Sequence, residues 1–206
     1  MKTVYYAFIL GFLFTLASCD EDDPVNTGKV SSVTVSNLAA DPATGYDPTN
    51  GMPIGFKNLF SFFRFSDSTV LGTADSASTK WDLGFKSSTI IVNSGVSGPG
   101  NAGAFVYNGL FSELKEVPAD SVFRTDVSAS DLAIGKSWYN YDPVGMVLNP
   151  KPGKVLVIRT ADNKFAKMEI LSYYKNAPAA PNAFRDEARY YTFRYVYQPD
   201  GSRKFE

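Results

Sequence analysis

The sequence predicts an all-β protein, built as an antiparallel sandwich or an incomplete barrel with few or no long helices. Three observations lead to this prediction. Residues 154–175 have the pattern of two strands joined by a tight turn. Residues 190–197 place an aromatic side chain at every second position along one face. Beyond the first 18 residues, no long segment repeats its apolar residues with the helical period of 3.6.

The hairpin predicted at residues 154–175 begins with an uninterrupted aliphatic run, Val155–Ile158, which is typical of a strand covered on both faces. Asp162 and Asn163 suit the turn, because their side chains bond their own backbone and tolerate positive φ. The return strand alternates between two faces. One face carries Ala166, Met168 and Ile170, and the other carries Lys167, Glu169 and Leu171.

The third strand of this unit directs four aromatic residues to one face, so another layer of strands is expected to cover it. These residues are Tyr191, Phe193, Tyr195 and Tyr197. Shorter strands are predicted at 30–37, 59–65, 69–71, 80–93 (one or two strands) and 104–107. Loops are predicted at 39–55, 94–103, 138–150 and 177–186. Residues 111–128 are expected to form a short helix or an irregular connection, and 130–134 a helical turn.

The N-terminus resembles a secretory signal. Lys2 supplies a positive start, and the apolar run Tyr5–Leu16 is shorter than the roughly 20 residues of a spanning helix. Residues 16–19, Leu-Ala-Ser-Cys, resemble the lipobox of bacterial lipoproteins. This resemblance implies a signal peptide at 1–18 and lipidation of Cys19. The alternative is an ordinary signal peptide with a chance cysteine.

Acidic residues 20–23 follow the cysteine directly. They resemble the export signal that sends some lipoproteins to the outer face of the outer membrane. The alternative is a solvated acidic linker. We therefore expect a lipidated tether at 19–29, a single β domain at 30–206, and membrane contact through the lipid anchor only.

The composition excludes several classes of function. The formal charge is −1 and no basic run occurs, so we expect no nucleic-acid partner. The chain has no histidine and one cysteine, which rules out Ser/His and Cys/His nucleophile systems. No carboxylate pair is placed by the sequence in a cleft. We therefore predict no catalytic residues and no enzymatic activity.

Met146 is the candidate metal ligand. It lies near Trp138, Tyr139 and Tyr141 in a stretch dense in aromatic residues. A thioether is a soft ligand that suits haem iron, and flat aromatic side chains can line a porphyrin site. The alternative is that Met146 simply packs against a sheet edge. Met168 is predicted to be core, and Met52, in a loop before Pro53, carries no signal.

Several spaced motifs resemble those of the HmuY-like haem-binding lipoproteins over residues 56–206. They are WDLGF at 81–85, NSG at 93–95, WYNY at 138–141, VIRTADNKFAKMEILSYYK at 157–175 and YYTFRYVYQPDGS at 190–202. The resemblance implies an all-β fold that binds haem or a related tetrapyrrole without catalysis, for uptake, and passes it to a TonB-dependent receptor.

The resemblance also implies two axial ligands to the iron, with Met146 in the position of one. The segment expected to carry the other, residues 103–138, contains neither His nor Met. Tyr107, Tyr139 and Tyr141 are phenolic candidates, and the second ligand stays open. The rival hypothesis is a surface lipoprotein of the same fold that binds glycan or protein instead of haem.

Overall fold

The computed structural model describes Met1 and residues 30–206. The predicted signal peptide, Cys19 and almost all of the tether lie outside the described residues. In chain order, the strands of the described part are β1 (Ser32–Ala39), β2 (Gly45–Tyr46), β3 (Pro53–Ile54), β4 (Ser61–Arg64), β5 (Thr69–Leu71), β6 (Leu83–Lys86), β7 (Thr89–Val92), β8 (Gly103–Asn108), β9 (Tyr139–Asp142), β10 (Val147–Pro150), β11 (Lys154–Arg159), β12 (Phe165–Tyr174) and β13 (Ala188–Gln198).

The largest sheet has five antiparallel strands in the order β1-β13-β12-β11-β8. The predicted hairpin is confirmed as β11–β12, and Asn163 turns the chain with a φ of 65°. Strand β11 is buried on both faces, as its aliphatic run predicted. On β12, Ala166, Met168 and Ile170 belong to one core cluster, as their spacing predicted.

The aromatic face of β13 is covered by a second antiparallel sheet, of order β5-β4-β6-β7. Phe63 of β4 meets Phe193 edge-on, with ring centroids 5.2 Å apart, and Phe85 of β6 stacks on Phe193 at 5.8 Å. The Tyr195 hydroxyl donates to the Phe65 carbonyl at 3.0 Å. The two sheets pack face to face and do not close into a barrel, so the predicted sandwich is confirmed.

The opposite face of the large sheet is covered by the connection at 109–123 and by the C-terminus. Lys167 of β12 is buried there, and its ammonium donates to the carbonyls of Phe111 at 2.8 Å and Leu114 at 2.7 Å. Burial lowers the pKa of Lys167. Because two carbonyls solvate the ammonium in place of water, this lysine fastens the connection to the sheet.

Two segments predicted as loops contain hairpins. Residues 138–150 form β9 and β10, joined by a turn at 143–146, and residues 39–55 contain the short pair β2–β3. Pro143 and Gly145 gave the first segment the composition of a loop, yet they lie in the hairpin's turn.

The connection at 111–128 is irregular, the second of the two predicted alternatives, and it pairs through isolated bridges such as Ala104 with Arg124. Residues 130–134 are not helical; a bridge between Ser128 and Asp131 closes a tight turn instead. One turn of 3₁₀ helix occurs at Thr73–Asp75.

Within residues 30–206, no helix has the length and apolar character needed to cross a bilayer.

Candidate functional site

The tips of two hairpins and one connecting segment enclose a groove of about 350 Å³. We call this the hairpin groove. One wall comes from the β2–β3 hairpin and residues that flank it, one from the β9–β10 turn, and one from residues 183–190. Its larger apolar side chains are Tyr46, Met52, Phe56, Met146, Phe184 and Tyr190.

The β9–β10 hairpin carries Met146 and is held at its base by Trp138. The Trp138 ring is buried, and its indole N–H donates to the Ser88 carbonyl at 3.0 Å. Further along, the backbone N–H of Leu148 donates to the hydroxyl of Tyr174 on β12 at 2.9 Å. These two contacts fix the hairpin on the core, so the position of its tip is defined by the sheet beneath it.

The turn at the tip exposes the thioether. Asp142 accepts the backbone N–H of Val144 at 2.9 Å, and Met146 has a φ of 53°. Positive φ is uncommon for a residue with a long side chain. The Met146 residue is 46% exposed and lines the hairpin groove. The turn therefore holds an apolar, polarizable side chain at the surface rather than in the core.

The opposite hairpin is built around Asp47. Its backbone N–H donates to the Met52 carbonyl at 2.8 Å, and its carboxylate accepts the N–H of Thr49 at 2.8 Å. The N–H of Met52 in turn donates to Asn50 at 2.8 Å. The backbone of Met52 is thus fixed on both sides, while the residue is 60% exposed and lines the groove.

Arg189 and Asp41 join the third wall to the first. The Arg189 guanidinium donates to the Asp41 carboxylate at 3.2 Å and to its carbonyl at 2.9 Å. It also lies over the Phe56 ring, 3.6 Å from the centroid, as a cation–π contact. The Asp41 carboxylate accepts the N–H groups of Lys57 and Asn58 as well. This network holds Phe56 and the start of β13 in place.

On the third wall, the acidic side chains have partners, whereas one basic side chain does not pair with any carboxylate of the described residues. Glu187 forms an ion pair with Lys175 at 2.6 Å, and Asp186 accepts the N–H of Asn182 at 2.7 Å. Among the described residues, the guanidinium of Arg185 has no carboxylate within 4.0 Å. Because Arg185 is exposed and lines the groove, it offers a free positive charge to an anionic ligand.

Of the four residues predicted for the site, Met146 lines the hairpin groove and the others do not. Trp138 is only 2% exposed and packs against Tyr139, Tyr173 and Tyr191, so it supports the site from below. Tyr139 is half-buried beside it, and Tyr141 is exposed on β9. The phenolic candidate Tyr107 packs on the other face of the large sheet, with the 109–123 connection.

The phenols beneath the hairpin are protonated at neutral pH. Burial raises the pKa of Tyr173 to about 12 and raises that of Tyr191 well above its ordinary value. Tyr191 donates its hydroxyl to the Ser87 carbonyl at 2.9 Å. Buried, neutral phenols of this kind are suited to packing and hydrogen bonding, not to ligation as phenolates.

Sequence reasoning missed most of the groove, because its residues come from three separate segments. Met52, Tyr46, Phe56, Phe184, Tyr190 and Arg185 were not predicted. The missed signal is the exposure of large apolar side chains: Phe184 is 80% exposed and Tyr46 is 58% exposed. Exposed apolar residues that cluster mark an interaction site, but the sequence alone shows neither their exposure nor their proximity.

Within the described part of the chain, no group of three or more His, Cys, Asp or Glu residues could hold a bare metal ion. The soft donors of the groove are thioethers, which suit iron in haem or other soft metal centres. Its aromatic and apolar lining suits a flat apolar ligand, and Arg185 suits an anionic group on that ligand.

The family model described as HmuY protein matches residues 56–195. No curated protein matches the chain.

The chain is similar to several solved structures. A candidate lipoprotein from Bacteroides fragilis is 17% identical, with a TM-score of 0.51, and the alignment covers 84% of this chain and 92% of that one. The apo form of the HmuY analog of Tannerella forsythia is 16% identical, with a TM-score of 0.48 and coverages of 82% and 96%. A candidate HmuY-like haem-binding protein from Bacteroides vulgatus is 17% identical, with a TM-score of 0.49 and coverages of 82% and 92%.

Proposed function

The chain belongs to the HmuY family, and from that premise we propose that it is a surface lipoprotein that binds haem or a related tetrapyrrole without catalysis, for uptake. The observation that carries the proposal is the exposed Met146 thioether in the hairpin groove. In this proposal Met146 is an axial ligand of the haem iron. Trp138 and Tyr139 support the hairpin beneath it, and Tyr141 flanks its tip.

The groove fits the chemistry of haem in three respects. Thioether sulfur is a known axial ligand of haem iron. Tyr46, Phe56 and Tyr190 supply aromatic surface for an apolar macrocycle. The guanidinium of Arg185, which has no carboxylate within 4.0 Å among the described residues, can form a charge-assisted hydrogen bond with a propionate.

The rest of the proposal concerns location and partners. Lipidated Cys19 would anchor the protein to the outer membrane, facing the cell exterior, with residues 19–29 as tether to a β domain at 30–206. A TonB-dependent receptor would receive the haem. The lipobox and the acidic residues after it support the anchor and the address. The family match supports the cargo and its transport.

The test is a titration of the purified full chain with ferric haem, monitored by absorbance in the oxidised and reduced states. We expect a saturable Soret shift at about one equivalent. Met146→Leu keeps the apolar contact but removes the sulfur, so it is expected to weaken haem binding by roughly tenfold or more, in line with the cost of disturbing metal ligation.

The matched control is Met168→Leu, which exchanges a methionine in the core, away from the groove. It is expected to leave the haem spectrum unchanged. A wild-type protein that gives no saturable shift would contradict the proposal and favour the rival, a surface module for glycan or protein. A normal spectrum in Met146→Leu would remove Met146 from the ligand role.

A further inference from the structure

In the part of the chain that the structure describes, three of the four outer edges of the two main sheets are short or partly covered. Strand β8 bonds through Ala104 to Arg124, with N–H to carbonyl distances of 2.9 and 3.0 Å. Strand β7 bonds through Ile90 to Gly135 in the same way, at 3.1 and 2.9 Å. Strand β5 has only three residues. Short strands and covered edges prevent other chains from pairing with a sheet.

The fourth edge, that of β1, is open. Among the described residues, β13 is the only strand that pairs with β1. Residues 30–36 contain neither a charged residue nor a proline, which are the residue types that commonly blunt an edge. The register with β13 is regular from Ser32 to Val35 and shifts in a bulge before Leu38, which limits the open edge to the first half of the strand.

The sequence of this open edge is a palindrome. Residues 32–36 read Ser-Val-Thr-Val-Ser in either direction. An antiparallel pair of two such strands, centred on Thr34, sets serine opposite serine, valine opposite valine and one copy of Thr34 opposite the other. Hydroxyl side chains placed opposite each other can hydrogen-bond across the strands. The same patch on two molecules is therefore self-complementary, as a two-fold interface requires.

The side chains of β1 also suit a second copy. Val35 packs against the core between the two sheets, and Val33 lies on the same face because side chains alternate along a strand. Val33 is nevertheless 36% exposed. A second strand at this edge brings its own Val35 against Val33, so the apolar core continues across the contact. Thr34 lies on the opposite face, where its hydroxyl is exposed.

The segment that precedes β1 in the chain is a poor candidate for the same edge. Residues 20–25 are Asp-Glu-Asp-Asp-Pro-Val. Acidic residues and proline are depleted in strands, and proline cannot donate to a neighbouring strand. A second copy of β1 has neither disadvantage and brings no charge to the contact.

We infer that two copies of this chain pair through β1, antiparallel and about a two-fold axis at Thr34. The pairing joins two sheets of five strands into one of ten, through about four to six backbone hydrogen bonds. The contact is small, so the dimer is weak and depends on concentration. The hairpin groove lies near the other end of β1, where Ala39 pairs with Tyr190, so this inference is independent of what the groove binds.

The first test locates the two-fold axis by disulfide formation. In a full chain that carries Cys19→Ala, an introduced cysteine is the only one. Thr34→Cys places two sulfurs opposite each other on neighbouring strands, within reach of a disulfide, so we expect a covalent dimer on mild oxidation. The matched control is Ser32→Cys on the same strand. Its two copies lie four residue steps apart, about 13 Å, so we expect it to stay monomeric on a non-reducing gel.

The second test measures association by sedimentation equilibrium over a range of concentrations. We expect a monomer–dimer equilibrium for the Cys19→Ala chain. Adding Thr34→Lys sets two like charges opposite each other, which should raise the dissociation constant by roughly tenfold or more. The control is Thr79→Lys, the same exchange at an exposed position outside β1, and it should leave the equilibrium unchanged.

Three results would overturn the inference. The first is a chain that stays monomeric at every concentration and gives no covalent dimer as Thr34→Cys. The second is equal cross-linking of Thr34→Cys and Ser32→Cys, which indicates random collision. The third is a dimer that Thr34→Lys does not weaken, which places the interface elsewhere. Neither test contains haem, so its failure is distinct from a failure of the proposed function.

Discussion

At the scale of single residues, Asp82 shows how burial changes the chemistry of a carboxyl group. It is 5% exposed, and its two oxygens accept the backbone N–H groups of Phe65 at 2.8 Å and Ala161 at 2.9 Å. The bonds tie the end of β4 to the turn after β11. Burial outweighs these hydrogen bonds and raises the pKa of Asp82 to about 6.

This raised pKa predicts a dependence of stability on pH. Because the folded protein holds the Asp82 proton more tightly than the unfolded chain does, the contribution of this group to stability is greatest below about pH 4. It falls as pH rises toward 6 and is constant above that. The difference between about 6 and the ordinary value of 3.8 corresponds to about 3 kcal/mol. Urea unfolding of wild type and Asp82→Asn at pH 4 to 7 measures this contribution to the free energy of unfolding.

Asp82→Asn cannot titrate, so the unfolding free energy of wild type relative to this variant should fall between pH 4 and 6. The change Asp126→Asn is the control, since Asp126 is also buried and accepts two backbone N–H groups. A wild-type curve that stays parallel to that of Asp82→Asn over this range would contradict the prediction.

The sequence identified some residues of the candidate site but not the side chains that surround them. Met146 was a candidate because a methionine among aromatic residues is visible in the chain. Trp138 was expected to line the site, but a sequence does not show which rings a tryptophan will contact, and Tyr173 and Tyr191 bury it. Met52 gave no signal, because the sequence does not show that it lines the same groove as Met146.

At the scale of elements, the β9–β10 hairpin depends on β12 for its position. The hydroxyl of Tyr174 accepts the Leu148 N–H, and Tyr174 itself is buried. A hairpin of two four-residue strands is marginal alone, so contacts with the larger sheet have to stabilise it.

Tyr174→Phe removes this acceptor and leaves a partly buried N–H unpaired. We expect the free energy of unfolding to fall by about 1 to 2 kcal/mol. Amide hydrogen exchange at Leu148 should accelerate, because the hairpin opens more readily. The control is Tyr141→Phe, at an exposed position of the same hairpin. Equal exchange rates at Leu148 in wild type and Tyr174→Phe would contradict the role given to the hydroxyl.

Strands were predictable where their pattern was long. Strands β12 and β13 span 10 and 11 residues and alternate clearly. Strand β9 has only four residues, followed by proline and glycine, and β2 and β3 have two each. Such short strands form because of the tertiary contacts they make, not because of their own residues, so composition alone assigned them to loops.

At the scale of the whole molecule, the aromatic interface between the two sheets holds the sandwich together. The aromatic residues of this interface bury a large apolar area at few positions. Ring contacts join Phe63, Phe85 and Phe193. The sandwich was therefore predictable from the period of β13. The groove was not, because it is made by the turns that lie outside this interface.

The proposed anchor is tested by Cys19→Ala. This change removes the sulfur that would carry the lipid, so the protein should move from the membrane fraction to the soluble fraction. Immunoblots of both fractions measure the shift, and Met52→Leu serves as a control that keeps the cysteine. Equal membrane association of the two variants would mean that something other than Cys19 holds the protein there.

The register of β1 on β13 determines where the N-terminal end of the domain lies relative to the hairpin groove. Ser32, at the start of β1, pairs with Val196, whereas Ala39, at its end, pairs with Tyr190, which lines the groove. At about 3.3 Å per residue, the eight residues of β1 span about 26 Å. Strand β1 thus runs from the end of the sheet near Val196 to the end near Tyr190, which borders the hairpin groove. A molecule held by its N-terminal end therefore carries its groove on the side of the fold away from the start of β1.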